Sequence, residues 1–172
     1  MVPKKILFCT DFSENSEPAR QLALDYAKAF VASLSVVHVF TLDFSAHPPI
    51  DDEAAALAWV EERAPYELTL KSAEVKANRA LETMAEKCRS VVRHVNACHR
   101  KGHPVKEIIR CAEEESADLI VMGTHGWTGL GHLLLGSTAE NVVRATTRPV
   151  LIVRSPSVKA KVSEEPYWPP VP

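Results

Sequence analysis

Glycine is scarce in this chain, with six in 172 residues, cysteine scarcer with four, and aromatic residues make up only 6%. No apolar run approaches the roughly 20 residues a membrane span needs, so no membrane partner is expected. The formal net charge is only −2, which gives no reason to expect nucleic acid or an anionic lipid surface as a partner. Cys9, Cys88, Cys98 and Cys111 are widely spaced and form no C-x-x-C pair. They read as buried small hydrophobes and not as a disulfide framework. The apolar part of the N-terminus, Ile6-Leu7-Phe8, is cut at Asp11 with no cleavage-type site, so no signal peptide is read and the expected location is cytoplasmic. No internal repeat is visible.

What is present is an alternation of short apolar runs and helical stripes. Ile6-Leu7-Phe8, Val36 to Phe40, Leu119 to Met122 and Val150 to Val153 are continuous runs of the kind that fill strands buried on both faces. Val91 to Ala97 is a weaker candidate within the polar stretch "RHVNACHRKG". Ala19, Leu22, Ala23, Tyr26, Ala27 and Phe30 fall at steps of three and four, with Ser13 or Ser16 as candidate cap and Pro18 suited to a first turn. Ala77, Leu81, Met84, Cys88 and Val91 make a second stripe. Val105, Ile108, Ile109 and Ala112 make a third, and Ala139, Val142, Val143 and Thr146 a fourth. Right-handed crossovers turn this order into an α/β, doubly wound parallel sheet with helices on both faces.

Two segments stand outside that scheme. Residues 41–73 form a long connection with Pro48-Pro49, Asp51-Asp52-Glu53, a short helix expected over Ala54 to Arg63, and then Pro65. Its length marks a candidate lid. Residues 155–172 carry five prolines and read as an extended, disordered tail after a single domain over 1–154.

Five of the six glycines lie between Gly123 and Gly136, in "MGTHGWTGLGHLLLGSTAENV". This loop leaves the C-terminal end of a buried strand and enters a helix, the place where open α/β sheets bind ligands. Glycine lets the backbone approach a ligand closely, and successive N–H groups make an anion nest. Ser137-Thr138-Ala139-Glu140 fits a capping box, and the free N–H groups of a helix start favour phosphate. No lysine lies between Gly123 and Arg144, which argues against a P-loop, and the spacing is not G-x-G-x-x-G. The pattern is Gly123-x-x-Gly126, nine residues, then Gly136-Ser137.

That spacing resembles the ATP-binding members of the universal stress protein family. "KKILFCTDFSENSEPA" is similar to the family's first strand and turn, "SVVHVF" to its second strand, and the glycine loop through "RPVLIV" to its last strands. The resemblance covers residues 3–154 apart from the middle segment. It implies a Rossmann-like five-stranded sheet of order 3-2-1-4-5, of the adenine nucleotide alpha hydrolase type. It implies ATP, with AMP or ADP as alternatives, accompanied by Mg²⁺. Asp11 would accept hydrogen bonds from ribose, Thr10 would line the same turn, and the Val39 backbone would hold adenine. Gly123 and Gly126 would let the loop close on the inner phosphates, and Gly136, Ser137 and Thr138 would serve the outer ones. Met122 and His125 complete the set, His125 without a fixed role. A homodimer through the last strand, Pro149 to Val153, is implied as well.

The expected activity is a nucleotide-dependent stress-response switch and not an enzyme. No lysine or arginine finger lies in the loop, so any intrinsic ATPase or autophosphorylation is expected to be weak. A nucleotide-independent dimeric interaction protein is the alternative. An adenylating or ATP-pyrophosphatase enzyme fits less well, because the first turn reads "CTDFSENS", with no glycine. His94, His99 and His103 read as solvated histidines more than as metal ligands, and Glu113-Glu114-Glu115 as a solvated helix end.

Overall fold

The computed structural model describes residues 2–41, 53–124 and 135–155, the stretch 53–68 for its backbone only. Along the chain run β1 (Lys5–Cys9), α1 (Glu17–Phe30), β2 (Ser33–Phe40), α2 (Glu53–Arg89), β3 (Val95–Lys101), α3 (Pro104–Glu114), β4 (Leu119–Gly123), α4 (Ser137–Ala145) and β5 (Val150–Val153). A 3-10 turn, Glu14–Ser16, precedes α1. All strand pairs are parallel and their order is β3-β2-β1-β4-β5, as the sequence reading expects.

Strand side chains alternate between the two faces of the sheet. Ile6 and Phe8 of β1 join Leu34 and Val36 of β2 under α1 and α2, where Ala19, Ala23, Ala27, Leu81 and Ala85 close the layer. Leu7 and Cys9 face the other way and meet Ile108, Cys111 and Ala112 of α3 and Ala139 and Val142 of α4. Phe8, Ile6 and Leu7 are fully buried, which stabilises the fold by about 1.5–3 kcal/mol each. Burial on both faces explains why β1 and β4 appear in the sequence as unbroken apolar runs.

The chain builds outward from β1 to β2 and β3 with helices on one face. It then returns to β4 on the other side of β1 and continues to β5 with helices on the opposite face. Because crossovers are right-handed, reversing the direction of winding forces the helices to change face. The reversal leaves a crevice between the C-terminal ends of β1 and β4. Asp118 Oδ2 accepts the Lys4 and Lys5 backbone N–H groups at 2.8 and 3.0 Å, which anchors these two strands at their opposite ends.

Two elements differ from expectation. The third strand lies later, at Val95–Lys101 and not Val91 to Ala97. It is an edge strand, so its outer positions stay polar and its apolar signal is weak. The short helix expected over Ala54 to Arg63 belongs to one helix, Glu53–Arg89, that runs through Pro65. An interior proline costs about 3 kcal/mol, and the long Ala-, Glu-, Leu- and Lys-rich flanks offset it. The expected tail lies outside the described residues from 156 onward.

Candidate functional site

The turn after β1 is built from its own side chains. Thr10 continues the ladder by one bond, its N–H donating to the Val37 carbonyl at 3.0 Å. Its hydroxyl then accepts the Phe12 N–H at 3.0 Å and lies 3.2 Å from the Ser16 hydroxyl. Asp11 Oδ1 accepts the Ser13 N–H at 3.0 Å and the Ser13 hydroxyl at 2.6 Å. Asp11 thus folds the turn and does not cap α1, whose N-cap is Ser16. Between them Phe12 is held at φ 63°, a conformation that costs a non-glycine residue about 1–2 kcal/mol. The turn's hydrogen bonds and a ring contact between Phe12 and His38, centroids 4.3 Å apart, offset that cost.

His38 is the residue that sequence reasoning missed. Its Nδ1 lies 2.9 Å from the Thr10 carbonyl oxygen. Burial pushes its pKa below the usual histidine range, against the opposing effect of that hydrogen bond, so the ring is held neutral and Nδ1–H donates. The consequence falls on the next residue. In β2 the odd-numbered backbone groups face β1, as Ser33 N–H to Lys4 and Thr10 N–H to Val37 show, and the even-numbered ones face β3, as Gly102 N–H to Phe40 shows. Val39 therefore directs its N–H and C=O toward β1 at the level where β1 has already turned away. The Thr10 carbonyl, which the next ladder bond would have used, is taken by His38. A flat heterocycle with one donor and one acceptor fits that open edge. The only sequence signal for this was a polar ring inside an apolar run.

Across the crevice, β4 ends at Gly123 and Thr124 N–H donates to the Val153 carbonyl at 3.0 Å. Gly136 N–H donates to the Thr124 carbonyl at 2.7 Å, which pins the far end of the glycine loop beside its start. α4 begins at Ser137 as expected, but the capping box is absent. Gly136 is the N-cap, with no side-chain cap, and Glu140 instead pairs with Arg144 at 2.9 Å. The box needs Ser137 as N-cap with Glu140 at the third helical position, but the N-cap falls one residue earlier on Gly136, which has no hydroxyl and puts Ala139 at that position. The helix start therefore offers backbone N–H groups that no side chain of its own cap occupies.

These pieces enclose one cavity of about 420 Å³. Thr10 and Asp11 line it from the turn, Val39 and His38 from β2, Met122 and Gly123 from β4, and Gly136, Ser137 and Thr138 from the start of α4. Pro104 and Ile108 of α3 form a further wall, and Cys9 and Ser16 also face it. The expected residues His125 and Gly126 lie outside the described residues. The described lining contains no lysine or arginine. A larger groove of about 580 Å³ between α1 and α2, lined by Phe12, Arg20, Lys76, Arg79 and Lys87 among others, is solvent-open.

Elsewhere the histidines stay apart: His94 precedes β3, His99 lies within it and His103 is the N-cap of α3. No cluster able to hold a metal ion is found among the described residues. Glu115 differs from the solvated end expected for it. Its carboxylate accepts the Ser35 hydroxyl at 2.7 Å and the Asn96 amide at 3.1 Å, and these bonds hold it below the usual carboxylate range. No described helix is long and apolar enough to cross a membrane.

Comparison with known proteins agrees with this architecture. The model of the universal stress protein family matches residues 3–154. Universal stress protein MJ0577 of Methanocaldococcus jannaschii is 35% identical over 159 residues, covering 88% of this chain and 94% of that protein. A solved structure of MJ0577 superposes with a TM-score of 0.65 at 31% identity, covering 90% of this chain and 98% of that one. A universal stress protein from Archaeoglobus fulgidus in complex with dAMP shares the fold at a TM-score of 0.55 and 18% identity, covering 90% and 100% of the two chains. The chain belongs to the universal stress protein family.

Proposed function

We propose that this protein is an adenine-nucleotide-binding stress-response module, with ATP as the first candidate ligand and AMP or ADP as alternatives. The observation that carries this reading is the convergence in one 420 Å³ cavity of the Asp11 turn, the open backbone edge of Val39 and the start of α4, which no side chain caps. The three suit ribose, adenine and phosphate in turn. The A. fulgidus protein, solved with dAMP, holds an adenine nucleotide on the same fold, which supports the reading. Asp11, Ser137 and Thr138 offer oxygen donors only, the chemistry suited to Mg²⁺ carried in with the nucleotide.

In this proposal the nucleotide acts as a switch in the cytoplasm, and hydrolysis is slow or absent. The described lining supplies no lysine or arginine to neutralise charge developing on a transferred phosphoryl group. The test is to denature freshly purified protein, identify released nucleotide by mass spectrometry, and titrate the stripped protein with Mg-ATP by calorimetry. Copurified nucleotide or micromolar binding supports the reading; neither, at millimolar ligand, overturns it.

A second reading, a nucleotide-independent dimeric interaction protein, rests on β5. This edge strand is Val150-Leu151-Ile152-Val153, and every residue is only half-buried. Apolar edges of this kind are paired or covered. Pairing of two copies through Pro149 to Val153 is the arrangement we propose in either reading. A monomeric mass by light scattering would count against it.

A further inference from the structure

The groove between α1 and α2 is basic, although the chain as a whole carries a formal net charge of −2. Arg20 lines it from α1, and Lys76, Arg79 and Lys87 line it from α2. Arg20 pairs with Glu17, the one acid in the described lining. Lys76, Arg79 and Lys87 are exposed and make no ion pair among the described residues, whereas Arg89, Lys101, Arg110 and Arg144 each hold a glutamate. The apolar part of the lining is Phe12, Ala80 and Met84. A second depression along α2, of about 400 Å³, shares Lys76 and Arg79 and adds Lys71 and the exposed Val75. Unpaired cations around an apolar lining suit a segment that carries carboxylates beside aromatic rings.

We propose that this groove is the docking site of the chain's own residues 163–168, Ser-Glu-Glu-Pro-Tyr-Trp. That segment lies outside the described residues, and its sequence supplies both kinds of group. Glu164 and Glu165 complement Lys76, Arg79 and Lys87, and Tyr167 and Trp168 complement Phe12, Ala80 and Met84. Pro166 before the aromatic pair and Pro169-Pro170 after it restrict the chain, which lowers the cost of ordering it. Tethering makes contacts that are weak singly effective, because the second partner is always near.

The exit of the chain from the sheet sets the reach. Val153, the last residue of β5, packs with the cluster under α1 and α2, so the chain leaves on the groove's face of the sheet. All strands are parallel, so it leaves at the same edge as the turn that carries Phe12. Two strand spacings, roughly 10 Å, part β5 from β1, and α1 adds a width of about 10 Å. The nine residues from Pro156 to Glu164 extend to about 30 Å, enough to pass α1 and bring the acids to Lys76 and Arg79. Other acid-rich segments are placed elsewhere. Glu53, at the start of α2, lies about 35 Å along the helix from Lys76, and Glu113 to Glu115 end α3 on the opposite face of the sheet.

The experiment treats the full chain at low concentration with a carbodiimide, which joins carboxylates to lysine amines in contact with them. Equal parts of ¹⁴N- and ¹⁵N-labelled protein are mixed first, and the products are mapped by mass spectrometry. The expected result is a bond from Glu164 or Glu165 to Lys76 or Lys87 within one chain. Its yield should fall by about fivefold or more at 1 M salt, where the Debye length is roughly 3 Å. Arg79→Glu and Trp168→Ala should lower it similarly, since neither residue takes part in the reaction and Arg79 is exposed on α2. The Lys101–Glu74 pair, at 3.0 Å, is the internal control that the reagent has acted. With that control joined, three results would overturn the proposal: no bond from Glu164 or Glu165, bonds spread over lysines of other faces such as Lys28 and Lys106, or bonds only between differently labelled chains. The wild-type map decides the matter whatever the variants do, and it holds or fails independently of nucleotide binding.

Discussion

Gly136→Asp separates ligand binding from stability, because the two should move in opposite directions. Gly136 is the N-cap of α4 and has φ −69° and ψ 152°, which any residue adopts, so the change introduces no backbone strain. Its N–H bond to the Thr124 carbonyl is a backbone contact and survives. Aspartate at an N-cap accepts a free N–H of the first turn and complements the helix dipole, together worth about 0.5–1 kcal/mol over glycine. For a domain of this size that raises Tm by about 1–4 °C. The same carboxylate occupies the groups assigned to phosphate. Losing two charge-assisted hydrogen bonds at about 1.5–3 kcal/mol each, with like-charge repulsion added, removes about 3–4 kcal/mol or more of binding. The dissociation constant for Mg-ATP should rise by two to three orders of magnitude. Calorimetric titration and thermal melts on the same preparation measure both halves. Gly136→Ser is the uncharged control, with a smaller rise in Tm and less than about a tenfold loss of affinity. An unchanged dissociation constant in the aspartate variant, with Tm raised, would refute the placement of phosphate at α4. Lost binding with a lowered Tm would refute the claim that the helix start is free to accept a cap.

The remaining predictions concern His38 and the core. Because burial depresses the folded pKa of His38, the unfolded chain binds its proton more tightly, so stability falls as pH drops through about 6.5 toward the folded value and is fully present above it. His38→Gln, which keeps a donor for the Thr10 carbonyl, should flatten that part of a Tm-against-pH profile between about pH 7 and 5, and an unaltered profile would remove His38 as its source. Leu81→Ala opens a cavity in the layer between the sheet and α2, where Leu81 is fully buried, and should cost about 2–5 kcal/mol by urea unfolding. Nucleotide affinity in the cold should change little, because Leu81 packs on the face of the sheet opposite to α3 and α4.

Much of this molecule follows from local sequence. The runs at 6–8, 36–40, 119–122 and 150–153 are all strands; those of β1 and β4 are unbroken because the sheet buries them on both faces, whereas β5 is an apolar edge. The glycine spacing, with Asp11 and Val39, marked the rim of the cavity that the structure encloses, and the sheet order followed from the family resemblance. Tertiary structure decided the rest, where partners distant in sequence compete for the same group. The Gly136 N–H bond to Thr124 holds the chain where Gly136 is the N-cap of α4, so the capping box written into Ser137 to Glu140, which needs Ser137 at that position, does not form. β3 lies later than its apolar content suggests, because an edge strand is defined by the ladder it joins and not by its own burial. α2 passes through Pro65 because its long flanks outweigh one missing bond. His38 acquires its role only because β1 turns away at Asp11 and leaves the Thr10 carbonyl within reach of the imidazole. Periodicity along the chain identifies which residues are buried, but the allocation of each backbone donor and acceptor depends on what the folded neighbours have already taken.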